Sequence, residues 1–390
     1  MTRFSTRSAH EGAKNALAVA KDALVATGRP WIDLTVSNPT RAGIAYDTGA
    51  VLAALADRRS VIYEPEPFGL PAAREAVSRE LGGRVPPERI ALTASTSEAY
   101  AFLFKLLCDP GDDVLVPQPS YPLFEHLARF ESVQLVPYRL AYDGRWHVDL
   151  DSLRRARGPR TRAILAVSPN NPTGSYTKRD ELAAMAELGL PLVSDEVFAT
   201  YSLVDDPRRA STVLEVAGLA SGPLVFALGG LSKLAALPQM KLAWIAAGGP
   251  KGEVDAALER LELIADSFLS VGTPVQHALP ALLASRGPAE RAIQARTRAN
   301  LATLRGLVGE GSAATVLDVE GGWYATVRLP RVQSEERWAV DLLEQDGVYV
   351  HPGHFFDFEE EAHVVLSLLT PGEAFAEGAR RIVARVGESV

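Results

Sequence analysis

The sequence contains a single cysteine, Cys108, so no intrachain disulfide can form. Cysteine this scarce fits a reducing compartment. The sequence also lacks an uninterrupted apolar run of the roughly 20 residues that cross a bilayer. Its first eight residues, MTRFSTRS, lack the apolar stretch of a signal peptide. We therefore expect a cytoplasmic protein.

The sequence also has fewer basic than acidic residues. The 40 lysines and arginines are outnumbered by 48 aspartates and glutamates, which gives a net charge of −8. This balance argues against non-specific binding to nucleic acid or to anionic membranes, which requires basic patches. The hydrophobic fraction of 47% indicates a globular protein, and 390 residues favour two domains over one.

Short apolar runs alternate with helical patterns between residues 70 and 250. The strand-like runs are 89–94, 113–117, 133–138, 163–168, 191–195, 224–228 and 241–247. The helical stretches between them lie near 70–82, 97–107, 121–130, 178–188 and 210–219. This order predicts an α/β fold with a mostly parallel, seven-stranded sheet between helices. Ligands of such sheets bind beyond the carboxyl ends of the strands.

Polar segments follow four of these strands. They are Thr93–Glu98, Ser168–Gly174, Ser194–Glu196 and Gly229–Lys233. Each has an ordinary structural explanation when taken alone: a helix cap, a tight turn, a solvated carboxylate or an exposed lysine. Their order along one α/β scaffold is more specific than any single segment.

In that order, the Asn-Pro-Thr-Gly, Asp-Glu and Ser-Lys segments resemble those of the class I/II aminotransferases, which are fold type I pyridoxal-phosphate enzymes. The resemblance runs from about residue 30 to 385. It implies pyridoxal 5'-phosphate as the cofactor, no metal, and a homodimer whose active site is shared between subunits. It also implies a large cofactor-binding domain at 46–284 and a small α+β domain formed by 1–45 and 285–390.

The resemblance assigns four catalytic roles. Lys233 matches the lysine that forms the internal Schiff base and then moves a proton. Asp195 matches the carboxylate that faces the pyridine nitrogen, where a buried anion keeps the ring protonated and able to accept electrons. Asn171 matches the donor to the phenolic oxygen, and Tyr121 matches the aromatic residue that stacks on the ring.

Further residues match the family's contacts to the cofactor. The predicted contacts are Ser95, Thr96, Ser97, Tyr63, Phe198, Ser232 and Lys241. The first three lie at a predicted helix start, where backbone N–H groups suit a phosphate dianion. Tyr63 matches a tyrosine that reaches the phosphate of the neighbouring subunit. The alternative is that Tyr63 and Tyr121 only pack against other side chains.

Three positions around the predicted cofactor site depart from the family pattern. Lys241 stands where the family usually has an arginine on the phosphate, so it supplies charge without a bidentate fork. Gly230 stands where a hydroxyl residue is common, and Phe198 stands where a tyrosine often donates to the phenolic oxygen. The sequence thus predicts a phosphate site with fewer donors than the family pattern.

The largest departure is Val365. The family usually has an arginine there, two residues before a serine, that binds the substrate α-carboxylate, and an apolar side chain cannot do this. Either another cation serves, or the substrate is not a plain α-amino acid. Our candidate substrate residues are Ser37, Arg41 and His363, with Arg41 as the first replacement cation. The alternative for Arg41 is a solvated surface position. Candidates for an apolar pocket wall are Phe68, Trp323, Phe355 and Phe356.

The sequence therefore predicts an aminotransferase that moves an amino group from an amino donor, such as an amino acid, to a 2-oxo acid through Lys233. A lyase reaction on the same cofactor, such as β-elimination or C–S cleavage, is the nearest alternative, because fold does not fix the reaction. A ligand-sensing module is the alternative outside enzymology, and the negative net charge disfavours it.

Overall fold

The computed structural model of the chain describes residues 2–9, 14–218, 222–309, 311–360 and 362–389. The α-helices, numbered in chain order, are α1 (Ala16–Thr27), α2 (Thr48–Leu55), α3 (Pro71–Glu80), α4 (Thr96–Leu107), α5 (Leu123–Phe130), α6 (Leu150–Ala156), α7 (Arg179–Ala186), α8 (Leu231–Leu234), α9 (Lys251–Asp266), α10 (Thr273–Ser285), α11 (Gly287–Leu307), α12 (Glu335–Glu344) and α13 (Gly372–Glu388). The strands are β1 (Ile32–Asp33), β2 (Ile90–Thr93), β3 (Asp113–Gln118), β4 (Gln134–Tyr142), β5 (Trp146–Val148), β6 (Thr161–Val167), β7 (Leu192–Asp195), β8 (Val225–Gly230), β9 (Ala243–Gly248), β10 (Thr315–Val316), β11 (Tyr324–Arg328), β12 (Val348–Tyr349), β13 (His351–Pro352) and β14 (His363–Ser367).

An eight-stranded sheet forms the centre of the fold, in the order β2-β9-β8-β7-β6-β3-β4-β5. Strands β8, β7, β6, β3 and β4 are parallel to one another, whereas β9 runs antiparallel to both β8 and β2. The predicted α/β fold with a mostly parallel sheet is confirmed, and all seven predicted strands are present. The eighth strand, β5, pairs antiparallel with β4 at the edge. With three residues it is too short to show a periodicity in the sequence.

Burial explains why these strands read as continuous apolar runs. Every residue of β2, β7, β8 and β9 is buried. Separate clusters of buried side chains cover the two faces of the sheet, one including Leu92 and Ala246, and the other including Ala91 and Ile245. Because successive side chains point to opposite faces, a strand covered on both sides is apolar at every position.

A smaller sheet follows in the C-terminal part of the chain, in the order β10-β11-β14-β13. The N-terminal segment joins this part, because β1 pairs in parallel with β12 through Ile32 and Val348. Buried residues of α1, such as Leu17, share a core cluster with Trp338 of α12. The domain limits 46–284, 1–45 and 285–390 remain a prediction.

Two expected helices differ in the structure. The stretch 210–219 forms only a short 3₁₀ turn at Val213–Glu215, in which the Thr212 side chain accepts a hydrogen bond from Leu214 N–H. The apolar spacing of residues 8–26 also predicts a helix, but α1 begins only at Ala16, because Asn15 caps it by accepting from Ala18 N–H at 2.8 Å. Residues 10–13 and 219 lie outside the described part. Within that part, no helix combines the length and apolar character needed to span a membrane.

Candidate active site

The four polar segments meet at one edge of the large sheet. Val167 pairs with Asp195, and Asp195 pairs with Leu228, so the segments after β6, β7 and β8 leave neighbouring strands side by side. Strand β2 points the same way as β8, because both are antiparallel to β9. The predicted convergence at the carboxyl ends of the strands is what the structure shows.

Asp195 ends β7 with 9% of its surface exposed. Burial raises the pKa of its carboxyl group to about 6, and three contacts oppose this rise. Val197 N–H donates to Oδ1 at 3.1 Å, the Tyr100 hydroxyl donates to Oδ2 at 3.1 Å, and the charge of Lys233 acts from nearby. A buried carboxylate held this way is suited to pairing with a cationic ring nitrogen.

Lys233 lies in the short helix α8, directly after β8. Burial lowers the pKa of its ammonium group, while the carboxylate of Asp195 opposes that shift. Its Nζ lies 5.3 Å from the centre of the Trp323 ring and 5.6 Å from that of Phe198. The Tyr201 hydroxyl fixes the backbone by donating to Lys233 O at 2.7 Å. Apolar surroundings thus favour the neutral, nucleophilic amine.

Asn171 is 7% exposed, in the turn after β6. The turn is held by hydrogen bonds from Asn170 N–H to Ser175 O and from Gly174 N–H to Asn170 O, both 2.8 Å. Within the described residues, Asn171 Oδ1 is buried without a hydrogen-bond partner, as are Ser120 Oγ and Trp323 Nε1. Buried polar atoms are nearly always paired, so these three indicate a site that a polar ligand completes.

The start of α4 supplies the candidate phosphate site. Ser95 caps the helix by accepting from Glu98 N–H at 3.2 Å, and Glu98 Oε2 accepts from Ala94 N–H at 2.6 Å. The Ala94 N–H is therefore engaged, whereas the Ser95 hydroxyl accepts and keeps its own O–H to donate. Thr96 and Ser97 occupy the first helical turn, where N–H groups lack intrahelical acceptors and favour an anion.

The remaining predicted phosphate contacts are less well placed. Lys241 is exposed and has a left-handed backbone, with φ of 50°. Ser232 is partly buried in α8. Neither side chain makes a hydrogen bond within the described ranges. At Gly230, a Cβ atom would lie 2.9 Å from Ala243 Cβ, so the close approach of β9 excludes a larger side chain there.

Tyr121, Tyr324 and Ser37 form the outer part of the site. Tyr121 is 42% exposed, and burial together with the charge of Asp195 raises the pKa of its phenol. Burial raises the pKa of the Tyr324 phenol to about 12, and the nearby Tyr121 adds to this rise. A hydrogen bond from Ser37 acts in the opposite direction and lowers the pKa. These effects place Ser37 beside Tyr324, and Tyr324 beside Tyr121. Phe198 packs edge-on to Trp323, with ring centres 5.2 Å apart.

Among the residues that the structure describes, four other positions singled out from the sequence make no hydrogen bond to the central residues of the site. Arg41 is exposed. His363 stacks on Phe358 with ring centres 4.7 Å apart, and its Nδ1 lies 2.9 Å from Glu360 O. Tyr63 is 76% exposed, and Val365 is buried at 1% exposure. None of the four has a hydrogen bond to Lys233 or Asp195 in the part of the chain that the structure describes.

Three tyrosines at the site escaped the sequence reasoning: Tyr100, Tyr201 and Tyr324. Tyr100 could have been found, because it lies four residues after Thr96 on the same helix face, which points toward the site. The other two reach Lys233 and Ser37 from segments distant in sequence, and no local pattern marks them.

Comparison with solved structures identifies the fold. The alanine aminotransferase of Pyrococcus furiosus superposes with a TM-score of 0.88 at 23% identity, covering 99% of this chain and 100% of the other. A Thermus thermophilus aspartate aminotransferase gives a TM-score of 0.79 at 27% identity, covering 99% and 100%. The fold is that of the pyridoxal-phosphate aminotransferases.

Sequence comparison gives the family. Residues 29–375 match the family described as aminotransferase class I and II. The glutamate-pyruvate aminotransferase AlaA of Escherichia coli K12 is 27% identical over 314 residues, 76% of this chain and 75% of that protein. The S-alkyl-thiohydroximate lyase SUR1 of Arabidopsis thaliana is 30% identical over 243 residues, 60% of this chain and 52% of the lyase. The chain spans about half the length of this relative.

This chain belongs to the class I and II aminotransferases, a family of pyridoxal-phosphate-dependent enzymes. The predicted resemblance and the predicted cofactor are thereby confirmed.

Proposed function

We propose that this chain transfers an amino group from an amino donor to a 2-oxo acid. The observation that carries the proposal is the convergence of Lys233 and Asp195 at the carboxyl ends of the neighbouring strands β8 and β7. A lysine with a lowered pKa and a carboxylate with a raised pKa share one buried site at the carboxyl edge of the sheet. Titratable groups shifted against their ordinary charge states are typical of catalytic sites.

The residues present fit pyridoxal 5'-phosphate. Asp195 would hold the ring nitrogen, Asn171 the phenolic oxygen, and Tyr121 one ring face. The start of α4, with Ser95, Thr96 and Ser97, would hold the phosphate, and the proposed outer contacts are Ser232, Lys241 and Phe198. When bound, this cofactor serves as an electron sink for the carbon that loses its proton. Lys233 would bind the cofactor covalently and, in its neutral form, accept and return that proton.

The proposal is tested on purified protein loaded with pyridoxal 5'-phosphate. We expect a visible absorbance band that an amino donor removes and a 2-oxo acid restores. The Lys233→Ala variant should lose this cycle, whereas Lys251→Ala should keep it, because Lys251 pairs with Asp255 on the surface of α9. A band that no amino donor alters would contradict the proposal.

A lyase reaction is the second candidate, because the relative SUR1 is a lyase at 30% identity. The two reactions differ in their products. A transaminase leaves the cofactor aminated and needs a 2-oxo acid for the next turnover. A lyase releases ammonia and turns over without any acceptor. Ammonia release in the absence of a 2-oxo acid would therefore favour the lyase.

We also propose a homodimer. Leu52, Val61, Ile62 and Tyr63 are large apolar or aromatic residues that are each more than half exposed on neighbouring segments. Exposed apolar patches are typical of protein interfaces. If Tyr63 serves the other subunit, mixing Lys233→Ala with Tyr63→Ala protein should restore one intact site per dimer. No recovery in mixtures that sediment as dimers would contradict shared sites. The cytoplasmic location remains a prediction.

Arg41 and His363 remain candidate ligands of a substrate carboxylate. Arg41 is exposed and follows the Ser37 segment, whose partner Tyr324 lies at the site. The ring of His363 stacks on Phe358, and its Nδ1 atom contacts Glu360 O. An unchanged KM for every amino acid in the Arg41→Ala variant would eliminate Arg41.

A further inference from the structure

Thr326, His351 and Val365 form one surface of the small sheet, which we call the Val365 floor. Val365 of β14 pairs with Thr326 of β11 on one side and with His351 of β13 on the other. Paired residues of antiparallel strands point to the same face. The chain neighbours Val364 and Leu366 lie in the core cluster of the small sheet, so Val365 faces the opposite way.

The face that carries the Val365 floor also carries the outer part of the active site. Tyr324 lies two residues from Thr326 on β11 and pairs with Ser367, which lies two residues from Val365. Tyr324 packs against Phe198 with ring centres 6.2 Å apart. A substrate bound beside Tyr324 therefore has the Val365 floor as its next neighbour along the strands, about 7 Å away.

This floor carries no positive charge. Val365 and Thr326 are each 1% exposed, and Thr326 Oγ1 is buried without a hydrogen-bond partner in the described residues. Burial lowers the pKa of His351 to about 4, so the imidazole is neutral at physiological pH. A carboxylate placed here would lose its water without gaining a cation, which is unfavourable.

The charged groups that act on His351 are Asp33 and Lys21. Asp33 is an anion and would repel a carboxylate. The Nζ atom of Lys21 in α1 lies 3.9 Å from the centre of the Tyr349 ring and 5.0 Å from that of Trp31. The ammonium group therefore makes cation–π contacts with both rings. Arg328 of β11 shares the face of Thr326, two residues along the strand, and pairs in register with His363. Any cation that binds a substrate carboxylate must therefore lie outside the floor, and Lys21, Arg41 and Arg328 are the ones to test.

We infer that the amino donor carries an uncharged group with a hydrogen-bonding oxygen or nitrogen, such as a hydroxymethyl or carboxamide, where an α-amino acid carries its carboxylate. This group forms a hydrogen bond with Thr326 Oγ1, which otherwise has no partner in the described part of the chain. Val365 packs against the carbon atom of the same group. The inference rests on the proposed aminotransferase function and makes amino alcohols and amino amides its preferred donors. The 2-oxo acid of the proposed reaction then needs a cation outside the floor.

The first test uses matched donors with the loaded enzyme. Phenylalaninol and phenylalanine, and likewise alaninol and alanine, differ only in the group that meets the floor. We expect each alcohol to reach half-maximal conversion of the cofactor band at a concentration about tenfold or more below that of its amino acid. Equal or better use of the amino acids would overturn the inference.

Two variants test whether the Val365 floor determines the preference for alcohols over amino acids. Thr326→Val keeps the side-chain shape but removes the hydroxyl, so it should weaken the alcohols by about fivefold or more relative to phenethylamine, which has no group to meet the hydroxyl. Val365→Arg should shift the preference toward the amino acids. An intact cofactor band in each variant shows that it has folded. If Lys21→Ala, Arg41→Ala or Arg328→Ala abolished a strong preference for amino acids, an outer cation would be the carboxylate ligand and the inference would be wrong.

A binding measurement separates failure of the inference from failure of the proposed function. If no donor of either kind alters the cofactor band, the aminotransferase proposal fails. Calorimetric titration of the loaded protein with 3-phenylpropan-1-ol and with 3-phenylpropionate, neither of which can react, then decides the inference. Tighter binding of the alcohol, lost in Thr326→Val, supports it. Tighter binding of the carboxylate, or no binding of either compound, overturns it.

Discussion

Tyr100 donates its hydroxyl hydrogen to Oδ2 of Asp195 at 3.1 Å. The tyrosine reaches across from α4, whose first turn is also the candidate phosphate site, so one helix supports both ends of the cofactor site. Both groups are buried, and the hydrogen bond lowers the pKa of Asp195 against the larger effect of burial. Tyr100 is therefore a positioning residue that keeps Asp195 charged.

Tyr100→Phe should weaken binding of pyridoxal 5'-phosphate. Loss of a hydrogen bond to a charged group costs about 1.5–3 kcal/mol, which corresponds to a Kd raised by roughly tenfold to a hundredfold. The Kd is measured by titrating the cofactor into the cofactor-free protein. Tyr138→Phe is the matched control, because Tyr138 is also buried but donates to Leu165 O at 2.8 Å. An unchanged Kd in Tyr100→Phe would show that the hydrogen bond does not support the site.

Asp195 should make the cofactor-free protein less stable as the pH rises. Burial raises its pKa to about 6 in the folded state, above the ordinary value of about 3.9 in the unfolded chain. The folded protein thus binds the proton more tightly, and this contribution is full below pH 4 and lost as the pH rises through 6. The shift corresponds to about 3 kcal/mol in the free energy of unfolding.

Asp195→Asn isolates this effect, since asparagine does not titrate. Urea unfolding at pH 4.5 and pH 7.5 should show the variant gaining stability relative to the wild-type protein at the higher pH. Saturating pyridoxal 5'-phosphate should reduce the difference, because a ring cation would compensate the buried carboxylate. A difference between the two proteins that does not depend on pH would contradict the raised pKa.

Lys241→Arg should tighten cofactor binding. Lys241 is exposed and has no ion pair within the described ranges, so its charge is available to a phosphate at the start of α4. An arginine would add a bidentate fork and lower the Kd by about threefold to tenfold. Lys241→Ala should raise the Kd, and Lys251→Arg serves as the surface control. If neither change at 241 moved the Kd, Lys241 would have no role in binding the phosphate.

The sequence predicted the site best where function depends on strand ends. Asp195 ends one buried strand and Lys233 lies in the helix after another, and a continuous apolar run fixes both the strand and the place where it ends. Parallel neighbours then bring those ends together without further information. The strand β5 and the turn at Val213–Glu215 were beyond prediction, because pairing with β4 and a single side-chain cap decide them.

The substrate end of the site could not be predicted in the same way. Its face combines Ser37, Tyr324 and Val365, which lie far apart in the chain and carry no shared motif. The sequence indicated that Val365 is unusual, but not which groups surround it. That required the register of β11, β13 and β14, which places Thr326 and His351 beside it.

Gly230→Ser would restore the hydroxyl residue that the family often has, yet it should destabilise this protein. A Cβ atom at 230 would lie 2.9 Å from Ala243 Cβ and 3.1 Å from both Ala243 Cα and Leu242 O, so β9 must move. Overpacking of this kind costs about 1–3 kcal/mol in the free energy of unfolding. Urea unfolding measures the change. Gly252→Ser is the control, because its Cβ meets nothing within 4 Å.

Gly230→Ser should also weaken cofactor binding, despite the added hydroxyl, because the displaced strand β9 pairs with β8 just before Lys233. A serine that left stability unchanged and tightened the cofactor would show that β9 yields readily, and that the glycine is a lost contact rather than a packing requirement.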